Sequence, residues 1–247
     1  MSTIYSALVT GSGRGIGKET AILLSKKGFN LIICSRNQNE IDSVVKEIKS
    51  FGNDRILARE CDVSVSSQVN RVVNEALDIY GRIDVLINNA GISYVKKLID
   101  TTEEEWDNTL DINLKGSYHF AKAIVPHMIK HNYGIIINVS SGAGKIGFED
   151  ISAYCASKFG MIGLTESLAR EINNYNIRVM TICPGQVETK MQKDIDVQYY
   201  ELNKHNMLYP RTAAEKIGDM IYSDKEYSNG VSVDPPICRL NYKTFTF

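Results

Sequence analysis

At 247 residues the chain is long enough for a sizeable core, as one large domain or two small ones. Its 28 basic and 29 acidic side chains nearly cancel, and no block of like charge exceeds a few residues. That balance argues against nucleic acid or an anionic membrane as partner and leaves small molecules and other protein chains.

The opening segment, Met1 to Thr10, lacks a basic region followed by a long apolar run, and no later apolar stretch could cross a bilayer. The expectation is a soluble protein of the cytoplasm. Short β-branched or apolar runs then recur at 6–10, 30–35, 55–61, 84–88, 134–139 and 177–183, each followed by Gly, Asn, Asp or Pro. These predict six strands. Between them, helical periodicity spans 16–27, 40–50, 65–80, 102–131 (one helix or two, with Pro126 late in the second) and 151–175. Strand then helix, repeated, predicts an α/β fold: a single Rossmann-type, doubly wound parallel sheet of six to seven strands with helices on both faces. Runs such as Ile135, Ile136 and Ile137 are apolar throughout, as strands covered on both faces should be. No linker, low-complexity tract or repeat divides the chain, so residues 1–247 read as one domain.

The five cysteines (Cys34, Cys61, Cys155, Cys183, Cys238) are odd in number and lack a Cys-x-x-Cys spacing, which reads as free buried thiols. The four histidines show no metal-ligand spacing, so no metal site is expected.

The first strand runs straight into Thr10, Gly11, Ser12, Gly13, Arg14, Gly15, Ile16 and Gly17, ahead of the first helix. Missing Cβ atoms let a diphosphate approach the backbone, and free N–H groups with the helix dipole face its charge. The strict Gly-x-Gly-x-x-Gly spacing fails, because residue 16 is isoleucine. By itself the segment also fits a tight connection or the cofactor loop of a methyltransferase. After the second strand, an acid that would bind the ribose 2′-hydroxyl of NAD is missing from Cys34, Ser35, Arg36 and Asn37. Arg36, helped by Arg14, can instead bond a 2′-phosphate at about 1.5 to 3 kcal/mol per charge-assisted contact. The expected cofactor is NADP(H) in preference to NAD(H).

Tyr154 and Lys158 stand one helical turn apart within an amphipathic pattern (Ile162, Leu164, Leu168, Ile172), so both project from one face. A free phenol ionises near pH ~10, and an ammonium roughly 4 Å away at an effective dielectric of about 20 contributes about 4 kcal/mol, about three pK units. The pair is therefore expected to make a phenol that is acidic near neutral pH and able to exchange a proton with a reacting oxygen.

With these residues assembled, the sequence resembles the short-chain dehydrogenase/reductase family over about residues 5–234. The likeness rests on the Thr10 to Gly17 turn, Asp62 and Val63 after the third strand, and Asn88, Asn89, Ala90 and Gly91 after the fourth. It rests further on Asn113, on Ser140 and Ser141 after the fifth strand, on Tyr154 and Lys158, and on Pro184, Gly185, Gln186, Val187, Glu188 and Thr189 after the sixth. The resemblance implies that Gly11 through Gly17 hold the diphosphate, Asp62 and Val63 the adenine, and Asn89, Ala90 and Gly91 the adenosine side. Pro184, Gly185, Val187 and Thr189 would border the nicotinamide. Tyr154 would supply the proton for carbonyl reduction and Ser141 a hydrogen bond to the same oxygen. Lys158 would lower the tyrosine pKa and grip the nicotinamide ribose, and Asn113 would hold a water in a proton relay. In reverse, the same set would oxidise an alcohol.

Residues 186–210 occupy the place of the family's mobile substrate lid, and their Met, Leu and Tyr side chains suit a partly apolar ketone or acyl chain. Within the family the open activities are a 3-oxoacyl-carrier-protein reductase, a pterin or carbonyl reductase, and a sugar or steroid alcohol dehydrogenase. Where the family's last strand ends in Val-Asp-Gly-Gly, this chain has Val233, Asp234, Pro235 and Pro236, so the strand should stop and 235–247 should form a divergent tail. The segments 107–130 and 152–174, which form the common dimer bundle in relatives, are intact, so a homodimer or homotetramer is expected. The competing class is a catalytically silent NAD(P)-binding sensor or scaffold. Such a chain would be expected to lack the tyrosine, lysine or serine, all of which are kept here.

Overall fold

The computed structural model describes residues 4–223 and 229–234. Its seven strands are β1 (Ser6–Thr10), β2 (Asn30–Ser35), β3 (Ile56–Glu60), β4 (Val85–Asn88), β5 (Gly134–Val139), β6 (Ile177–Ile182) and β7 (Ser232–Val233). They form one sheet in the order β3-β2-β1-β4-β5-β6-β7, parallel at every pairing. The helices are α1 (Gly15–Lys26), α2 (Gln38–Ser50), α3 (Ser66–Tyr80), α4 (Glu103–Leu110), α5 (Gly116–His131), α6 (Ser152–Glu171), α7 (Lys190–Ile195), α8 (Val197–Asn203) and α9 (Pro210–Tyr222). All six predicted strands are present within a residue of their expected bounds. The predicted helical stretch 102–131 is two helices joined without a break by a π-helical turn, Asp111–Lys115, and Pro126 lies inside α5.

Successive side chains along a strand point to opposite faces, so each strand feeds two cores. Ala7, Val9, Ile33, Ile87 and Ile137 pack with α1, α2 and α9 on one face. Leu8, Ile32, Leu86 and Ile136 pack with α3 and α5 on the other. Every residue of β1, β4 and β5 is buried, which is why their sequences are continuous apolar runs and not alternating ones.

The strand order reverses between β1 and β4, which opens a crevice beyond their carboxyl ends. Two features aim this crevice. Arg14 precedes α1 without any side-chain cap, so the first N–H groups of that helix are left for whatever enters. On the far side, α6 is tied to the sheet by a buried polar chain. Asn88 donates to Asn138 (2.8 Å), Asn138 to Thr165 (2.8 Å), and Thr181 to Thr165 (2.8 Å). Thr165 in turn donates to the Met161 carbonyl.

The stretch 186–210 leaves the sheet and returns to it. Its base is stapled where Leu208 N–H donates to the Gln186 carbonyl (3.0 Å) and Glu188 N–H to the Leu208 carbonyl (2.8 Å), with α7 and α8 between. Asp234 is the last described residue of β7's exit, and the expected tail, 235–247, lies outside the described residues. Among the described residues, no helix is long and apolar enough to cross a membrane.

Thr165 is 1% exposed and serves two donors, so Thr165→Val removes an acceptor while keeping shape. It is expected to cost about 1–3 kcal/mol, the penalty of a buried unpaired amide. A urea unfolding midpoint equal to that of the unaltered protein would contradict this.

Candidate active site

The turn after β1 and the end of β4 are bolted together. Thr10 Oγ1 accepts from the Asn89 and Ala90 N–H groups (2.9 and 3.0 Å), and Asn89 Nδ2 donates to the Thr10 and Gly11 carbonyls (2.9 and 3.1 Å). The approach is too close for a side chain on the turn. A Cβ on Gly17 would fall 2.4 Å from the Gly11 carbonyl oxygen, and a Cβ on Gly11, which has φ +62°, would fall 2.8 Å from Ala90 Cα. From this turn a cavity of about 640 Å³ runs past α6 to the 186–199 segment.

Most of the expected site residues line that cavity. At one end are Gly11, Gly13, Arg14, Gly15, Ile16, Arg36 and Val63; further along are Asn89, Ala90 and Gly91. Ser141, Tyr154 and Lys158 follow, with Pro184, Gly185, Val187 and Thr189 opposite. Four expected residues are not on the wall. Ser12 is fully buried, and both its N–H and its hydroxyl donate to the Cys34 carbonyl (3.2 Å each), so its side chain shapes the turn from inside. Gly17 lies under the turn as the close-packed position described above. The Asp62 carboxylate turns back to accept from Ser64 N–H and Oγ (2.9 and 2.7 Å), leaving Cys61 and Val63 on the wall. Asn113 is fully buried in the π-turn. Its Oδ1 accepts from Ile92 N–H (2.8 Å), and its Nδ2 donates to the Ile92 carbonyl (2.9 Å) and to Ser157 Oγ (3.0 Å). That side chain has no N–H left for a relay water; it clamps the loop after β4 to α6.

Ser140 and Ser141 face different ways. Ser140 Oγ donates to the Lys158 carbonyl (2.9 Å), while Ser141 Oγ faces the cavity and accepts from Ala143 N–H (3.2 Å). Lys158 is 4% exposed, and its Nζ donates to the Val139 carbonyl at 2.8 Å. Burial lowers its pKa to about 8 from the ordinary 10.5. The Nζ stands 5.5 Å from the centre of the Tyr154 ring.

The expected acidified phenol is absent in this state. Desolvation at the cavity wall pushes the Tyr154 pKa above its ordinary value, and the interaction with Ser141 only partly opposes it. Lys158 does not offset that burial: its Nζ is held on the Val139 carbonyl, 5.5 Å from the ring centre. The Cys155 thiol lies against the Phe148 backbone. Cys34, Cys61, Cys155 and Cys183 are free and buried, and Cys238 lies outside the described residues.

Two wall residues carry no signal in the sequence pattern. Ser93 Oγ is buried without a hydrogen-bond partner among the described residues. Glu40, in the first turn of α2, bends back to the glycine turn and meets Arg14 at 3.3 Å. Arg14 therefore already has a carboxylate partner, while Arg36 is exposed at the same end of the cavity.

A family model described as short chain dehydrogenase matches residues 5–199. The chain belongs to the short-chain dehydrogenase/reductase family. It is 39% identical over 188 residues to the 3-oxoacyl-[acyl-carrier-protein] reductase FabG of Thermotoga maritima, covering 76% of each protein. It is also 34% identical over 228 residues to an uncharacterised oxidoreductase of Staphylococcus saprophyticus, covering 90% of this chain and 91% of that one. Among solved structures, a variant of actinorhodin polyketide ketoreductase with NADPH superposes with a TM-score of 0.88 at 28% identity, covering 95% of this chain and 97% of the other. Levodione reductase gives 0.88 at 27% identity, covering 95% and 96%. This short-chain dehydrogenase/reductase is thus an oxidoreductase, and several of its relatives are named as reductases.

The Lys158 pKa makes a signed prediction. Because the folded value of about 8 lies below the unfolded value of 10.5, burying the ammonium costs stability in full below pH 8. That cost is relieved as pH rises toward 10.5. Lys158→Met removes the cost at every pH, so its stability advantage over the unaltered protein should shrink by about 1.4 kcal/mol per pH unit across that window. Urea unfolding at several pH values measures the difference, and a constant difference would show the amine to be charged and compensated throughout.

Proposed function

We propose that the chain interconverts a ketone or oxo group and a secondary alcohol with NADP(H), with Tyr154 as the proton donor in reduction. The observation that carries this reading is the continuity of one cavity from the Gly11–Gly17 turn to the wall formed by Ser141, Tyr154 and Lys158. The turn fits a dinucleotide: the absent Cβ atoms at Gly11 and Gly17 leave backbone at the surface, and the uncapped α1 N–H groups face an incoming anion. Gly11, Gly13, Gly15 and Ile16 would hold the diphosphate, and Arg36 a 2′-phosphate. Val63 would meet the adenine and Asn89 to Gly91 the adenosine side, with Pro184, Gly185, Val187 and Thr189 at the nicotinamide. When bound, the cofactor supplies the hydride.

The chain's own residues manage the proton and the charge. As negative charge grows on the substrate oxygen, the Tyr154 O–H transfers its proton there. Ser141 Oγ takes the Ala143 N–H as donor, which leaves its own proton to point at the same oxygen. Lys158, 5.5 Å from the ring centre, stabilises the phenolate left behind. Asn113 positions this set through Ile92 and Ser157. The Tyr154 phenol, whose pKa burial raises, carries its proton at neutral pH and can donate it in the reductive direction.

The substrate is a partly apolar oxo compound, of the kind a 3-oxoacyl-carrier-protein or carbonyl reductase takes. Support comes from Val95, Phe148, Ile151, Met191, Ile195 and Tyr199, which line the cavity beyond Tyr154, and from the names of the relatives. The 186–210 excursion, whose base is stapled between Gln186, Glu188 and Leu208, would act as the substrate lid. We place the protein in the cytoplasm as a homodimer or homotetramer. Exposed Tyr118 on α5 and Phe159 on α6 suit a subunit contact.

In Tyr154→Phe the ring stays and the proton goes. The rate of NADPH oxidation with a 3-oxoacyl thioester or ketone should fall by about 10²–10⁴-fold, the range for general-acid catalysis, while NADPH still binds. Undiminished turnover would refute the proton assignment.

A further inference from the structure

We propose that Glu40 is a specificity-determining residue that opposes the selection of NADP(H) over NAD(H) by competing with a 2′-phosphate for Arg14. This rests on reading the Arg14 and Arg36 end of the cavity as the subsite for the adenosine ribose. The carboxylate missing from the end of β2 enters the subsite from the next helix. Asn37 caps α2 by accepting from Glu40 N–H (3.2 Å), which starts the helix early enough to turn the Glu40 side chain back over β2. Its Oε1 lies 3.3 Å from Arg14 Nη1. Its Oε2 is 2.8 Å, and Ser35 Oγ 3.1 Å, from where a Cβ on Gly13 would sit. The carboxylate is thus pressed against the glycine turn at the cavity wall.

Charge decides what this does. A ribose 2′-hydroxyl can donate to a carboxylate, as acids at the end of the second strand do in NAD sites. A 2′-phosphate finds the same carboxylate repulsive and finds Arg14 already engaged. Arg36 favours the phosphate and Glu40 disfavours it, so the chain's selectivity is the difference between the two. Both partners are partly exposed, with side-chain exposures of 52% for Arg14 and 31% for Glu40, so the effect is moderate and screened by salt.

The test is calorimetric titration of the full-length protein and of Glu40→Gln and Glu40→Ala with NADPH and with NADH. The ratio of the NADH to the NADPH dissociation constant should rise by about fivefold in both variants at low salt and by less at high salt. If the unaltered protein prefers NADPH and the ratio is unchanged in both variants, the role of Glu40 is overturned and the cofactor reading stands. If the unaltered protein shows no preference for NADPH, the cofactor reading fails. A preference for NADPH that emerges in Glu40→Gln would then still uphold the opposing role of Glu40, and its absence would overturn that as well.

Discussion

Lys158 is an amine held almost wholly out of water with one strong partner, the carbonyl of Val139 at the end of β5. Burying such a group is costly, and the structure surrounds it with fixed packing that allows it no other place. Ser140 holds the Lys158 carbonyl, and a Cβ on Gly144 would press within 2.8 Å of the same oxygen, so the turn after β5 is wrapped tightly against α6 at this residue. The polar chain from Asn88 to Thr165 fixes the same helix farther along. With α6 registered against β5 in this way, Tyr154 has one place to stand, at the cavity wall beside Ser141.

The consequence for the chemistry is that protonation at this site is set by water exclusion as much as by neighbouring charge. Both Tyr154 and Lys158 are driven toward their neutral forms, the phenol by a raised pKa and the amine by a lowered one. A neutral phenol is a proton donor, which suits reduction. The amine retains its proton below a pH of about 8, where it can compensate the phenolate that a proton transfer leaves.

The sheet and most helices were readable because parallel strands covered on both faces are written as unbroken β-branched runs, such as 135–137, separated by helical periodicity. The order of motifs likewise pointed to the ends of β1, β4, β5 and β6, which meet at one crevice. Side-chain direction was less legible. The one-turn spacing of Tyr154 and Lys158 puts them on a common face, but the acceptor that takes the amine, Val139 O, comes from a distant strand. Ser12 and Asn113 turn away from the cavity for the same reason, since the fold brings their partners Cys34 and Ile92 from distant segments, whereas Asp62 turns back on its local neighbour Ser64. Glu40 reads in sequence as an ordinary acid in a first helical turn, and only the fold brings it to Arg14.

The central claim, that the phenol of Tyr154 delivers the proton, is tested most directly by single-turnover reduction of a ketone by the NADPH-loaded protein over a range of pH. The appearance of tyrosinate, recorded as its ultraviolet absorbance in the same samples against Tyr154→Phe, gives the ionisation of that one ring. The account predicts a partial fall in rate as Lys158 loses its proton near pH 8, and loss of the remaining rate with the midpoint at which the Tyr154 phenolate appears. A rate that continues unchanged through that ionisation would contradict it.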